Sequence, residues 1–136
     1  MSAYLSRTAA LLALATATGH PAFANDAKIA VHDQRVESGN IVKVQDVTSP
    51  SAGFLVIHAT EPAKTEIPGP AIGYAIVNPG SNSNVSVKLE QDVRAGEKLT
   101  AVLHEDAKAD GMFDEALDKP VAKPDGATVM AGFVTK

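Results

Sequence analysis

The residues best suited to chemistry lie in one acidic stretch, LHEDAKADGMFDEALDKP at 103–120. If Asp106 is the first position of a calcium loop, Asp110 falls at the fifth, Gly111 at the turn position and Asp114 at the ninth. Ca²⁺ takes about six to eight oxygen ligands, and carboxylates at this spacing supply several of them. The stretch therefore contains a candidate cation site formed by Asp106, Asp110 and Asp114.

Two positions weaken this calcium site. Lys108 places a positive charge at the third ligand position, and Leu117 stands where a calcium loop carries a bidentate glutamate. Any calcium binding is therefore predicted to be weak. The favoured interpretation is a solvated acidic loop between two strands, and calcium binding remains the alternative.

Histidines offer a second kind of metal site, because imidazole binds copper, zinc and nickel. The candidates are His32, His58 and His104. His104 and Asp106 are two residues apart and so share one face of a strand, which adds His104 to the metal candidates. His58 and His104 are predicted to end neighbouring antiparallel strands at opposite rims, too far apart to share an ion. Each histidine is predicted instead to bond to a loop at its strand end.

Several chemistries are excluded by absent residues. The sequence has no G-x-S-x-G elbow, no H-E-x-x-H helix and no phosphate-cradling glycine loop, so no enzymatic activity and no cofactor is predicted. It also has no cysteine, which excludes disulfides and thiolate metal sites. Phe113, within the acidic stretch, is the one aromatic side chain that a partner could reach, but the favoured prediction is that it folds back to close the loop.

The N-terminal residues have the pattern of a secretory signal peptide. Arg7 supplies a positive charge, TAALLALATA is a short apolar run, and AFA at 22–24 is a cleavage pattern. Cleavage predicts one mature domain at 25–136, soluble in the periplasm or outside the cell. Removing Arg7 from 12 basic residues leaves 11 against 16 acidic ones. This negative balance argues against nucleic acid and anionic lipid as partners.

The mature sequence has the periodicity of strands. In NVSVKLE (84–90), Val85, Val87 and Leu89 alternate with polar residues, which is typical of a half-buried strand. Turn signals separate seven such runs, and together they predict an antiparallel immunoglobulin-like β-sandwich with sheets A-B-E-D and C-F-G. The loop joining the last two strands, 105–127, is the predicted interaction surface. The predicted strands, A to G, are 28–36, 41–47, 53–59, 71–77, 84–90, 98–104 and 128–134.

Several short motifs also resemble a known family. These are Asp33-Gln34, GFLVIH with His58, His104-x-Asp106, and the following D-G-x-F that ends at Phe113. They resemble uncharacterised secreted β-sandwich domains that occur in archaeal surface proteins and in some bacterial secreted proteins. The resemblance implies the fold and an extracytoplasmic location, and it implies no activity. Lys108 departs from the aspartate- and asparagine-rich loop of the relatives.

Two functions follow as hypotheses. The first is a secreted, non-enzymatic binding module that recognises an envelope or secreted protein through loop 105–127. The second is a weak divalent-cation protein of the periplasm, which would bind calcium, copper or zinc through Asp106, Asp110, Asp114 and His104.

Overall fold

The computed structural model describes residues 27–60 and 68–136, so the predicted signal peptide lies outside the described residues. Within them the chain forms seven β-strands and no helix, which confirms the all-β prediction. In chain order the strands are β1 (Lys28–Ala30), β2 (Ile41–Ser49), β3 (Gly53–Thr60), β4 (Pro68–Val77), β5 (Gly80–Lys88), β6 (Lys98–Glu105) and β7 (Met130–Val134).

The strands form two antiparallel sheets, one in the order β1-β2-β5 and the other in the order β4-β3-β6-β7. The predicted partition is wrong for the fourth strand, which was expected beside β5 and pairs with β3 instead. Consecutive strands pair in most proteins. The residue pattern that identifies β4 as a strand does not say which sheet edge it joins.

A hydrophobic core fills the space between the sheets. Val42 and Val87 pair across β2 and β5, and both are fully buried. Leu55 and Ile57 on β3 belong to the same core cluster. Leu89 is also buried, and Val85 is partly buried against the cluster. The inward direction predicted for alternate residues of this strand is therefore confirmed.

The first strand is much shorter than predicted because the chain leaves the three-stranded sheet after Ala30. The Gln34 side chain then bonds to both backbone groups of Lys43, each at 2.7 Å. An Asp33 carboxylate oxygen accepts the N–H of Val134 at 2.9 Å, and the Gln34 backbone also bonds to that residue. Asp33-Gln34 thus links β2 of one sheet to β7 of the other, which gives this motif a structural role.

Candidate functional site

The two central strands of the four-stranded sheet, β3 and β6, are buried on both faces. Leu55, Ile57 and their counterparts on β6 face the core between the sheets. The opposite face, here called the outer face, carries Phe54, Val56 and His58 from β3 and Val102 and His104 from β6. All five are buried, with exposures between 0% and 5%.

A loop of residues 106–118 covers the outer face at the end of β6. The Phe113 ring lies 5.6 Å from the Phe54 ring and 5.0 Å from the His104 ring, measured between centroids. After the loop the chain returns beside β6, where the Glu105 N–H donates to the Lys119 carbonyl at 2.9 Å. Phe113 therefore closes the loop against the sheet, which is the role that the sequence favours for it.

Asp118 holds this loop in its folded-back shape. It is only 1% exposed. One of its carboxylate oxygens accepts the N–H of Ala107 at 2.8 Å, and the other accepts the N–H of Asp114 at 2.7 Å. Its carbonyl oxygen lies 2.7 Å from Nδ1 of His104. A single buried residue therefore joins the two limbs of the loop and orients a histidine beneath it.

His58 and His104 lie side by side on the outer face, and their Nε2 atoms are 3.4 Å apart. The expectation that they are too far apart to share an ion is wrong. His58 pairs with Thr100 and His104 pairs with Phe54, so the two histidines are indeed offset along the strands. Their side chains lean toward each other and close that offset.

Both rings are held by backbone carbonyls through the nitrogen that faces away from the pair. Nδ1 of His58 lies 2.8 Å from the Gly69 oxygen, and Nδ1 of His104 lies 2.7 Å from the Asp118 oxygen. A carbonyl only accepts, so each Nδ1 carries a proton. When such a ring is neutral it has only this one N–H, and its Nε2 atom then presents a lone pair. The predicted bond from a histidine to a loop is present for His104, at Nδ1, whereas His58 bonds to Gly69 on β4.

The two lone pairs point at each other. The ring planes differ by 20° and the centroids are 5.6 Å apart, which exceeds the Nε2–Nε2 distance by 2.2 Å (5.6 Å less 3.4 Å). The excess can be at most twice the distance from the centre of an imidazole to its nitrogen, and it reaches this limit only when both nitrogens lie on the line between the two centroids. The observed excess is close to that limit. Although nearly parallel, the rings therefore meet edge to edge and not face to face.

The His104 ring is kept neutral by its surroundings. Burial lowers the pKa of His104 from its ordinary value of 6.5, against the opposing effect of the Asp118 carbonyl bond, and the charge of His58 lowers it further. The carboxylates of Glu115 and Asp118 act in the raising direction without reversing the shift. At neutral pH the Nε2 lone pair of His104 is therefore available.

Two buried lone pairs that face each other need an electron-pair acceptor between them, because a buried acceptor without a partner is costly. The Nε2–Nε2 distance of 3.4 Å is longer than the range of about 2.7–3.2 Å that is typical of N–H hydrogen bonds to oxygen. A metal ion with N–metal bonds of about 2.0–2.1 Å separates two nitrogens by about 3.4 Å at the tetrahedral angle and about 4.1 Å when collinear. The observed separation is at the short end of this range. Ligating histidines commonly donate their other N–H to a carbonyl, as both do here.

A cavity of about 420 Å³ opens beside the histidine pair. Its lining includes Met130 of β7, Glu115 of the loop and Lys119. Within residues 27–60 and 68–136, no group of three or more histidine, cysteine or acidic side chains is placed to hold an ion. Further ligands for an ion on the histidine pair must therefore come from other atoms, such as the Met130 sulfur, or from solvent.

The predicted calcium ligands bond to the backbone of their own loop. Asp106 accepts the N–H of Gly111 at 2.9 Å, Asp110 accepts that of Met112 at 2.9 Å, and Asp114 accepts that of Ala116 at 2.9 Å. These are local turn bonds typical of aspartate. The partner of His104 is a carbonyl oxygen and not one of these three acids. Calcium binding at these acids stays a prediction.

Comparison with known proteins agrees with the uncharacterised family suggested by the motifs. Residues 27–135 match the model of a family described as Domain of unknown function (DUF7282), and the chain belongs to this family. A search of curated proteins gave no match, and neither did a search of solved structures. Across the residues that the structure describes, no helix is long and apolar enough to cross a membrane.

Proposed function

We propose that this protein is an exported, non-enzymatic metal-binding module with an immunoglobulin-like sandwich, and that its ion binds between His58 and His104. The observation that carries the proposal is the pair of buried Nε2 atoms, 3.4 Å apart, with both Nδ1 atoms bonded to carbonyls. The signal-peptide pattern of residues 1–24 supports export to the periplasm or beyond.

The site fits a transition metal better than calcium. Calcium prefers oxygen ligands, whereas imidazole nitrogen suits copper, zinc and nickel. The buried position on the sheet also favours binding over catalysis, since a loop covers the pair and His104 is only 4% exposed. The histidine pair therefore replaces the acidic loop as the centre of the metal hypothesis.

Thermal unfolding in the presence of copper and zinc ions tests this proposal. An ion that binds only the folded state at 100 times its Kd adds about 2.7 kcal/mol of stability, which corresponds to a melting shift of several degrees in a domain of this size. We expect the shift to disappear in His58→Asn and His104→Asn. The asparagine amide keeps a donor for the carbonyl at the Nδ1 position and removes Nε2.

His32→Asn is the matched control, because His32 is exposed and its backbone N–H bonds to Gln45 on β2 of the other sheet. It should keep the full melting shift. Calcium tests the alternative site in the acidic loop in the same experiment. A melting shift with calcium that is lost in Asp110→Ala would place the ion in that loop. A copper or zinc shift that survives in both His58→Asn and His104→Asn would refute the histidine site.

A second candidate is the binding module whose interaction surface lies at loop 105–127. It is favoured by apolar side chains exposed at this end of the sheet, where Ile76 is 60% exposed and Met112 is 66% exposed. A Cβ at Gly111 would lie 3.9 Å from the Ile76 side chain, so loop and β4 form a continuous surface. The test is to immobilise the domain and to measure whether it retains an envelope protein. Retention that persists in the double variant Ile76→Ser, Met112→Ser would exclude this surface.

A further inference from the structure

We propose that the ion is monovalent copper and that the thioether of Met130 is its third protein ligand. This inference rests on the metal site proposed above and adds the identity of the ion and of the remaining ligand. Three observations carry it: the edge-to-edge approach of the two rings, the apolar side chains around them, and the position of Met130 in the same cavity.

The direction of the lone pairs favours an ion that accepts two nearly collinear ligands. The rings of His58 and His104 meet edge to edge, so two bonds from their Nε2 atoms would enclose a wide angle. Monovalent copper, with a filled d shell, prefers two or three ligands and tolerates a nearly linear pair. Zinc in protein sites takes four ligands at tetrahedral angles. Collinear bonds of about 2.0–2.1 Å require the two nitrogens to move apart by about 0.7 Å, from 3.4 Å to about 4.1 Å.

The surroundings favour a single positive charge over a double one. Two neutral imidazoles do not compensate an ion, and the adjacent side chains Val56, Val102 and Phe113 are apolar. The cost of moving an ion out of water is large in such surroundings, and it grows with the square of the charge. A divalent ion would therefore require a carboxylate ligand, whereas a monovalent ion requires none.

Met130 is placed to supply a soft ligand. It lies opposite Val102 in the β6–β7 pairing, so it belongs to the outer face and is a diagonal neighbour of His104. Diagonal neighbours are within reach of long side chains. Met130 lines the cavity beside both histidines and is 43% exposed. Thioether sulfur selects monovalent copper among the common metals.

Glu115 is the competing ligand in this cavity. A carboxylate beside two imidazoles would suit zinc, as in sites with two histidines and one glutamate. The described residues, however, include no group of three such side chains placed around one ion, so Glu115 is not placed with both histidines. The geometry therefore favours the Met130 sulfur over the Glu115 carboxylate.

Competition titrations under exclusion of oxygen test the proposal, with monovalent copper shared between the mature protein and a chromophoric chelator. We expect Met130→Leu, which conserves volume, to weaken copper binding at least about tenfold, since even outer-shell substitutions cause that loss. Met112→Leu is the matched control, because Met112 lies on the loop outside the cavity lining, and it should bind as the wild type does. Zinc affinity should be the same in all three proteins.

The outcomes separate this inference from the proposed function. Binding of zinc but not monovalent copper, lost in His58→Asn and His104→Asn, would overturn the copper assignment and leave the histidine site standing. Equal copper affinity in Met130→Leu and Met112→Leu would overturn the thioether ligand. Binding of neither ion to the wild type would overturn the proposed function itself.

Discussion

Replacing Val87 with aspartate is expected to unfold the domain or bring it close to unfolding at 25 °C. Val87 is fully buried on β5, and its partner on β2, Val42, is fully buried as well. The substitution places an unpaired carboxylate between the two sheets, which is among the few changes that cost more than about 4 kcal/mol. A domain of this kind has about 5–15 kcal/mol in total. Urea unfolding followed by far-ultraviolet circular dichroism measures the loss.

Lys88→Asp is the control for this substitution, because Lys88 is the next residue on the same strand and its side chain is exposed. It should change the free energy of unfolding by about 0.5 kcal/mol or less. Similar losses in Val87→Asp and Lys88→Asp would contradict the inward direction of alternate residues on β5.

Asp118→Ala is expected to cost about 2–5 kcal/mol and to weaken metal binding as well. The substitution removes the acceptors of two backbone N–H groups, those of Ala107 and Asp114. Each such group left without a partner costs about 1–3 kcal/mol. The loop should then loosen, and the carbonyl that orients His104 should lose its fixed position. Urea unfolding measures the stability, and copper titration measures the effect on the ion.

Asp125→Ala is the matched control for Asp118. Asp125 also accepts a backbone N–H, that of Ala127 at 2.9 Å, but it lies in an exposed turn between Lys123 and Ala127. Its loss should be well below that of Asp118→Ala, with unchanged metal affinity. If both variants lose the same stability and both keep full metal affinity, Asp118 does not organise the site.

The strands were predictable because their residues alternate. Val87 and Leu89 point inward as the period of two requires, and the number of strands agrees with the number of runs. The neighbours of a strand are less predictable than the strand itself. β4 has apolar residues facing the core whichever sheet it joins, so the pattern could not distinguish pairing with β3 from pairing with β5.

The sequence does not predict the histidine pair, because the position of a residue along its strand does not determine where the end of its side chain lies. His58 and His104 are four residues apart along the paired strands, which is about 13 Å at the rise of a β-strand. Both point to the outer face, however, and two imidazole side chains that lean toward each other can cover most of that distance. The sequence signal was present, since Phe54, Val56 and His58 alternate in a strand that is apolar on both faces.

Asp118 and Met130 carried no sequence signal that set them apart. Asp118 is one of six acids in the stretch 103–120, and only the return of the loop beside β6 buries it. Met130 is an apolar residue in a predicted strand, as a core residue would be. Its place beside the histidines depends on the register between β6 and β7, which local patterns do not determine.

The central claim, that the Nε2 atoms of His58 and His104 together hold one ion, is tested most directly by ¹⁵N nuclear magnetic resonance of the histidine rings. In the ion-free protein both rings should show the tautomer with the proton on Nδ1. One equivalent of monovalent copper should then shift both Nε2 resonances together and leave those of His32 unchanged. A proton on Nε2 of either ring in the ion-free protein at neutral pH, or copper-induced shifts confined to His32, would contradict the claim.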